Sequence, residues 1–198
     1  MSPKALVRPL ILASTSRYRA ALLERFGLRF NTASPAVDEA ELTGESPRFR
    51  AARLSDAKAE AVAAQYPEAV VIGGDQVAAL GERVLRKPGN AANCRDQLQL
   101  LSGSTADFFT ACTVRCLAAG LKLSHVDTTR VGFRRLSADE IARYVDREQP
   151  FDCAGGFKAE ALGITLFERM ESADPTAIVG LPLIWLAGSL RTAGFSLP

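Results

Sequence analysis

Residues 69–76 read Ala-Val-Val-Ile-Gly-Gly-Asp-Gln, and this stretch decides the predicted fold. Residues 69–72 form a short apolar run that is typical of a strand buried on both faces. The glycine pair lets the backbone turn sharply or approach a ligand, so we expect the strand to end there. Asp75 would then lie at the carboxyl edge of the sheet, where binding sites of α/β proteins usually form.

The segment before this strand predicts a further strand, a helix and a loop. Leu10 to Ala13 form another buried strand, and Tyr18 to Phe26 show helical spacing that ends at Gly27. Leu28 to Thr32 form the next predicted strand. A polar, acidic loop is expected from Ala33 to Glu45.

Helix starts are well marked in the rest of the chain. Ser46 followed by Pro47 is a serine cap with proline in the first turn, and this helix is expected to run to about Gln65. The other predicted helices run from an Asn90 cap through Leu101, from a capping box at Ser137 and Glu140 to about Arg147, and from Leu183 to Ala193.

Strands are predicted in the remaining intervals. A β-rich piece follows Asp75 and continues to about Leu85. β-Branched residues from Thr105 to Phe133, with a turn at Ala118-Ala119-Gly120, indicate two long antiparallel strands, and Ile164 to Glu168 indicate one more. Because βαβ units are mixed with hairpins, we expect an α/β fold with a mixed sheet.

Composition and charge exclude several classes of function. The chain has 198 residues and a net charge of +2, which gives no reason to expect a nucleic acid or a membrane surface as partner. No stretch approaches the ~20 apolar residues of a membrane span, and the apolar run at Leu10 is shorter than the ~7–15 residues of a signal peptide. We therefore expect a cytoplasmic protein.

The cysteines and the histidine do not indicate a zinc site. Four cysteines are scattered without a CxxC pair, and His125 is the single histidine. On a strand, Cys112 and Cys116 would lie on the same face, which does not suit a disulfide between them. We expect all four thiols to be reduced.

Phosphate binding would need an uncommon device, because the sequence contains no GxxxxGK[ST], GxGxxG or HExxH motif. One candidate is the strand–helix junction after Ala13, where helix N–H groups, the hydroxyls of Ser14 and Ser16 and the guanidinium of Arg19 would attract an anion. A second is Asp75, a carboxylate suited to a hard metal ion or to general-base catalysis.

Each of these features also has an ordinary structural explanation. The serines suit a helix cap with solvated arginines beside it, and the Gly-Gly-Asp sequence suits a turn. The charges of Asp38-Glu39, Lys58 and Lys87 are of the kind that usually face solvent. Only the combination of all these segments favours phosphate and metal binding over the ordinary structural explanations.

Read in order, the segments resemble the Maf family of nucleoside triphosphate pyrophosphatases. The matching segments are LILASTSRYRAALL at 10–23, VDE at 37–39, RLSDAKA at 53–59, IGGDQV at 72–77, KP at 87–88, LSG at 101–103 and VGLPL at 179–183. They span nearly the whole chain in the family's order, so the resemblance is specific. It implies a single domain over residues 1–198, an elongated mixed α/β sheet with a cleft between two lobes, related to the inosine triphosphatase architecture.

The resemblance also implies hydrolysis between the α- and β-phosphates of a nucleoside triphosphate with a divalent metal cation, Mg²⁺ or Mn²⁺. Carried over by motif, Asp75 is the catalytic carboxylate, and Glu39 and Asp75 hold the metal. The residues that fall where the family contacts the triphosphate are Ser14, Arg19, Lys58 and Lys87.

Two positions depart from the family's pattern. Arg19 is followed by Ala20 where the family usually has a second basic residue, and Gly74 stands where a serine is common. We expect altered substrate affinity from these departures, with Arg17 as a candidate to supply the missing charge.

The segment 151–160, followed by 163–169, resembles the branch of the family that acts on 7-methyl-GTP. The branch acting on dTTP and UTP tends to have arginine in place of Tyr18 and glutamine in place of Glu160. N7-methylguanine is cationic, so the ring of Tyr18 suits it through a cation–π interaction, and Glu160 would accept hydrogen bonds from guanine N1–H and the N2 amine. We assign base specificity to Tyr18, Gln76 and Glu160.

Two alternatives stay open from the sequence. One is a pyrophosphatase of the same family that prefers dTTP or UTP or accepts many nucleotides. The other is a regulator of the septum or of cell division that binds a nucleotide without turning it over. The expected partner is a nucleoside triphosphate, with a homodimer left open and neither nucleic acid nor a membrane expected.

Overall fold

Seven strands form one mixed sheet in the computed structural model, which describes residues 8–198. The strands are β1 (Leu10–Ala13), β2 (Asn31–Thr32), β3 (Val70–Leu80), β4 (Arg83–Leu85), β5 (Thr105–Cys116), β6 (Leu121–Phe133) and β7 (Phe167–Glu171). Their order across the sheet is β2-β1-β3-β5-β6-β7, with β4 paired to β3. β1 is parallel to β2 and β3, and the other pairs are antiparallel. The expected mixed α/β fold is confirmed.

Five α-helices accompany the sheet within the described residues. They are α1 (Arg17–Glu24), α2 (Pro47–Ala63), α3 (Ala91–Leu101), α4 (Ala138–Glu148) and α5 (Leu183–Thr192). Three of the predicted caps are present: Ser46 accepts a hydrogen bond from the N–H of Phe49, Asn90 accepts one from Asn93, and Ser137 forms its capping box with Glu140. These local bonds satisfy N–H groups that a helix leaves unpaired at its start.

The two faces of β3 pack against different helices. Val71 lies in an apolar cluster with Val62 and Ala63 of α2. On the other face, Val70 and Ile72 lie in a cluster with residues of α1 and α5. This separation follows from the alternation of side chains along a strand. α3 and α4 cover a further core, built mainly on β5 and β6.

A gap in strand pairing opens a cleft beside β3. On one edge, β5 pairs with β3 from Val71 to Ala79. On the opposite edge, β1 stops at Ala13, which pairs with Gly73, and β4 pairs with β3 only from Ala78. Residues 74–77 therefore have a neighbouring strand on one edge only, and no strand covers their other edge.

The predicted strand end at Gly73 and Gly74 is wrong, because β3 continues through both glycines to Leu80. β5 pairs along the whole of this stretch and keeps it extended. Gly73 is needed for close packing instead: a Cβ there would overlap the carbonyl oxygen of Ser55 and lie 2.8 Å from the Cβ of Ala59.

Two other predicted strands are misplaced. The strand at residues 28–32 is reduced to β2, while Leu28 and Phe30 turn their side chains towards an apolar cluster. The strand predicted at 164–168 starts at Phe167, after a 3₁₀ turn over Leu162–Leu166. The reason is that Phe167 pairs with Phe133, the last residue of β6, so no strand partner remains for earlier residues.

Two further observations concern the cysteines and the helices. All four cysteines are free thiols, three of them buried. Among residues 8–198, no helix combines the length and the apolar character required to cross a membrane.

Candidate active site

Asp75 lies at the centre of the gap beside β3, facing α2. The side chain of Asp75 and a Cβ added at Gly73 would share this face, because the two residues are two positions apart on the strand. Gly74 and Gln76 point to the opposite face, towards α1 and the segment before α5. One strand thus presents a carboxylate on one face and an amide on the other.

Lys58 of α2 bridges two carboxylates on the α2 side. Its Nζ lies 2.6 Å from Oδ1 of Asp75 and 2.7 Å from Oε1 of Glu39. The side chains of Lys58 and Asp75 are 9% and 10% exposed, whereas that of Glu39 is 58% exposed. The bridge brings the acidic loop before α2 onto the wall of the cleft, although loop and strand are distant in sequence.

Burial and charge act in opposite directions on these groups. Burial raises the pKa of Asp75 above its ordinary value, and the nearby charges of Lys58 and Arg19 offset only part of this effect. Burial also acts to raise the pKa of Glu39, but Lys58, Lys87 and Arg19 outweigh it and lower that pKa. Both carboxylates therefore lie in a field of cations.

The donor set at this point fits a hard divalent cation. Glu39 and Asp75 converge on one position, now taken by the ammonium of Lys58. No group of three or more Asp, Glu, His or Cys side chains suited to a metal occurs in the part of the chain that the structure describes. Mg²⁺ is usually bound by one or two carboxylates together with substrate phosphates and water, so two carboxylates suffice.

Arg19 crosses the other side of the cleft in a slot between two glycines. A Cβ on Gly74 would lie 3.3 Å from Nε of Arg19, and one on Gly180 would lie 3.3 Å from its Cγ. Arg19 donates from Nε to the carbonyl of Gly180 at 3.0 Å and from Nη1 to Oγ of Ser14 at 3.4 Å. Burial lowers the pKa of Arg19, against the attraction of Asp75. The glycine at position 74 therefore makes room for this arginine.

A cavity of about 930 Å³ collects the residues predicted to handle phosphate and metal. Those that line it are Ser14, Arg19, Glu39, Lys58, Asp75 and Lys87. They come from the end of β1, from α1, α2 and β3, and from two loops. The structure thus brings together every residue of that predicted set.

Arg50 also lines the cavity and was missed from the sequence. Its guanidinium donates to the carbonyl of Glu39 at 2.9 Å and pairs with Glu41 at 2.7 Å, so it holds the acidic loop on α2. A signal was available, since Arg50, Leu54 and Lys58 follow one another at four-residue spacing and all line the cavity.

A smaller pocket adjoins this cavity and contains the residues predicted for base specificity. It has a volume of about 120 Å³, and its lining includes Tyr18, Gln76 and Glu160 together with the rings of Phe108 and Phe157. Tyr18 and Gln76 line both cavities. A ligand with a planar apolar part and an anionic part could therefore occupy the two spaces at once.

Gln76 is held so that its amide oxygen is available to a ligand. Its Nε2 lies 2.9 Å from Oγ1 of Thr110 and 3.1 Å from the carbonyls of both Ala177 and Ile178. Glu160 is exposed on the pocket wall and makes no hydrogen bond or ion pair with any of residues 8–198. Both side chains present oxygen acceptors to the pocket.

Tyr18 lies at the mouth of the pocket beside a carboxylate and a guanidinium. Its hydroxyl is 3.2 Å from both carboxylate oxygens of Asp152 and accepts a hydrogen bond from Arg17 at 2.9 Å. The guanidinium carbon of Arg17 lies 4.9 Å from the centre of the Tyr18 ring. Arg17 lines the larger cavity but is engaged with Tyr18 and Asp152.

A buried aspartate fixes the segment that closes the cleft, and sequence reasoning missed it. α5 begins after Pro182, which provides no side-chain cap. Asp174 and Thr176 take that role from a distance: Asp174 accepts from the N–H of Ile184 at 2.6 Å, and Thr176 accepts from Leu183 at 2.9 Å. The available signal was the Asp-Pro-Thr sequence, which is typical of a side-chain-stabilised turn.

The segment held in this way provides carbonyl acceptors for two site residues. Ala177 and Ile178 accept from Gln76, and Gly180 accepts from Arg19. Asp174 thus acts on both halves of the cleft without lining either of them.

The chain is similar to known proteins over nearly its whole length. The family model described as Maf-like protein matches residues 9–193. A protein of Aromatoleum aromaticum, named 7-methyl-GTP pyrophosphatase, is 53% identical over 96% of this chain and 97% of its own length. Proteins of the same name from Polaromonas sp. and Xanthomonas axonopodis pv. citri are 50% and 52% identical over 96% of this chain and over 87% and 98% of their own lengths.

Solved structures share the fold at low sequence identity. The Staphylococcus aureus Ham1 protein aligns over 94% of this chain and 100% of its own with a TM-score of 0.54. A Ham1 protein from Coxiella burnetii aligns over the same shares with a TM-score of 0.51, and both are 14% identical. The match of the family model across nearly the whole chain, with several relatives at half identity or more, shows that this chain belongs to the Maf family.

Proposed function

We propose that this chain hydrolyses 7-methyl-GTP to 7-methyl-GMP and pyrophosphate with the help of Mg²⁺ or Mn²⁺. The observation that carries the proposal is the junction of two cavities at Gln76, one lined by cations around Asp75 and the other by Tyr18 and Glu160. Relatives at 50–53% identity are named for this activity. The four free cysteines suit a reducing compartment, and we propose the cytoplasm.

The larger cavity suits the triphosphate. Arg19, Lys58 and Lys87 line it and offer positive charge from three directions. Charge builds up on phosphate oxygens as the α–β bond breaks, and cations already in place stabilise that charge without reorganisation. Glu39 and Asp75 would hold the divalent ion, whose chemistry is to offset charge on the phosphates and to activate water.

Asp75 is the residue we assign to the attacking water. Its carboxylate is buried, and burial raises its pKa, which makes it a stronger base than an exposed aspartate. The charge of Lys58, 2.6 Å away, acts against this rise in pKa and favours the ionised carboxylate. The proton removed from water would pass to Asp75 while the oxygen attacks the α-phosphorus and pyrophosphate leaves.

The smaller pocket suits the base. Glu160 would accept hydrogen bonds from N1–H and the N2 amine of guanine, and Oε1 of Gln76 offers a further acceptor. The ring of Tyr18 provides an aromatic face at the mouth. A pyrimidine presents carbonyl oxygens on the corresponding edge, which two acceptor groups would not bind well.

The test is pyrophosphate release from 7-methyl-GTP, GTP, UTP and dTTP, each with Mg²⁺ and with Mn²⁺. We expect 7-methyl-GTP to give the highest kcat/KM, and Asp75→Asn to abolish turnover while still binding nucleotide. Faster release from UTP or dTTP would contradict the base assignment. Normal turnover by a correctly folded Asp75→Asn variant would contradict the assigned role of Asp75.

A further inference from the structure

Guanine and N7-methylguanine present the same hydrogen-bonding edge, so Glu160 and Gln76 do not explain a preference between them. The two bases differ in a methyl group and in a positive charge spread over the imidazole ring of the methylated form. The ring of Tyr18 would respond to this charge through a cation–π interaction, and a carboxylate beside that ring would strengthen the response. On the basis of the proposed function, we look for such a carboxylate at the mouth of the base pocket.

Asp152 is the carboxylate at the mouth of the base pocket. It lines both the smaller pocket and the larger cavity, and its side chain is 52% exposed. Among the residues that line the smaller pocket, Asp152 and Glu160 carry negative charge. The ammonium of Lys158, on the same wall, is paired with Glu148 at 3.0 Å and with the backbone carbonyl of that residue. Asp152 therefore adds a negative charge that this lysine does not neutralise.

The contacts of Asp152 keep it ionised and fix its position. Burial raises the pKa of Tyr18 to about 12, so its hydroxyl keeps its proton at neutral pH and donates it to Asp152. Partial burial acts to raise the pKa of Asp152, but hydrogen bonds from Cys153 and Tyr18 and the charge of Arg17 lower it below its ordinary value. The carboxylate is thus negative over the physiological pH range.

The protein itself shows that this corner accommodates a planar cation. The guanidinium of Arg17 lies 4.9 Å from the ring centre of Tyr18 and 3.4 Å from a carboxylate oxygen of Asp152. A guanidinium and an N7-methylated imidazole ring share two properties, a flat shape and a delocalised positive charge. Since the Arg17 side chain is 73% exposed, it can leave Tyr18 for solvent at small cost.

We propose that Asp152, oriented by the hydroxyl of Tyr18, is the specificity-determining residue that selects the cationic N7-methylated guanine over guanine. Glu160 and Gln76 recognise the guanine edge in both bases, and Asp152 responds to the charge. A ligand ring near Tyr18 would take the place of the Arg17 guanidinium, so the carboxylate exchanges one cation for another.

The test compares 7-methyl-GTP with 7-deaza-7-methyl-GTP, which carries the methyl group at the same place on a neutral ring. The ratio of their kcat/KM values isolates the charge from the shape of the base. We expect Asp152→Asn to lower this ratio about fivefold, which corresponds to ~1 kcal/mol for one partly exposed charge pair. Added salt screens the charge of Asp152, so this kcat/KM ratio should fall with salt in the unaltered protein. The ratio measured for the Asp152→Asn variant should change little with salt.

Asp146→Asn is the matched control. Asp146 lies on α4, has a 62% exposed side chain paired with Arg95, and lines neither cavity. It removes the same charge from the protein and should leave the ratio unchanged. An Asp152→Asn variant with the unaltered ratio, or an equal effect of Asp146→Asn, would overturn the inference.

The two levels of the proposal fail in different ways. If the unaltered protein does not cleave 7-methyl-GTP in preference to pyrimidine nucleotides, the proposed function fails. If it does, and Asp152→Asn retains the preference for the charged ring, the proposed function stands and the role of Asp152 is lost.

Discussion

Replacing Gly73 by alanine is expected to destabilise the fold and to weaken catalysis together. Gly73 packs directly against α2, and an added Cβ would overlap the carbonyl oxygen of Ser55 and lie 2.8 Å from both the amide nitrogen and the Cβ of Ala59. Two of these three atoms belong to the helix backbone, so no side-chain rotation relieves the overlap. The strand and the helix must move apart.

The loss of stability in Gly73→Ala follows from the kind of atoms that the added Cβ meets. Overpacking in a core typically costs about 1–3 kcal/mol, and a clash with backbone belongs at the upper end of that range. In a chain of this length, a loss of about 3 kcal/mol lowers Tm by roughly 10 °C. Lys58 is one residue from Ala59, so the same displacement moves its ammonium away from Asp75, and we expect kcat to fall at least about tenfold.

The assay is urea unfolding together with steady-state pyrophosphate release, and Gly74→Ala is the control. Its Cβ would lie 3.2 Å from Cδ2 of Leu181 and 3.3 Å from Nε of Arg19, both in flexible side chains. We expect a cost of about 1 kcal/mol or less, with a raised KM because Arg19 shifts. A Gly73→Ala variant as stable as Gly74→Ala would refute this account of how α2 is placed.

Three further predictions concern the site. Asp174→Ala should lower the free energy of unfolding by about 2 kcal/mol, since it removes the acceptor of the Ile184 N–H and of the Thr176 hydroxyl, and should raise KM because the segment that holds Gln76 and Arg19 is then less fixed. Urea unfolding and kinetics check both effects, and an unchanged KM would confine Asp174 to stability. Glu160→Gln should reduce kcat/KM for 7-methyl-GTP about tenfold more than for UTP, and an equal effect on all nucleotides would remove Glu160 from base recognition. EDTA should stop pyrophosphate release and excess Mg²⁺ or Mn²⁺ should restore it, whereas full activity in EDTA would contradict a metal held by Glu39 and Asp75.

The parts of the fold that could be predicted depend on neighbouring residues in sequence. The caps at Ser46, Asn90 and Ser137 are bonds to residues three positions later, so the sequence alone indicates them. The long hairpin of β5 and β6 is also local, because its strands follow one another through a turn ending at Gly120. The helix ends differ from the predictions by no more than two residues, because the residues that start and stop a helix are also close together in sequence.

The parts that could not be predicted depend on distant contacts. The extension of β3 beyond Gly74 follows from pairing with β5, in which Asp75 lies opposite Ala111, 36 positions later in the chain. The shortening of β2 follows from apolar packing of the residues before it. Such contacts outweigh the local preference of glycine for turns.

The candidate site shows the same division. The motif residues could be assigned from the family resemblance, because family members that match these motifs bring the same residues together in the folded protein. Asp174 and Arg50 lie outside the matched motifs. Their local signals indicate a turn and a helix face, but not the distant backbone groups that the two side chains bind. The role proposed for Asp152 depends on its contact with Tyr18, which lies 134 positions earlier in the chain, so the sequence around Asp152 does not indicate it.

The alternation along β3 has a consequence for how this protein can change. Asp75 and Gln76 are adjacent in sequence but serve opposite ends of the proposed substrate from opposite faces of the strand. Substitutions around Gln76 can therefore retune base preference without repacking the α2 side. A one-residue deletion between Ile72 and Asp75 would place the amide where hydrolysis needs the acid, and a one-residue insertion would turn Asp75 to the opposite face. Diversification of substrate choice should thus proceed by point substitution on this strand, with its length held constant.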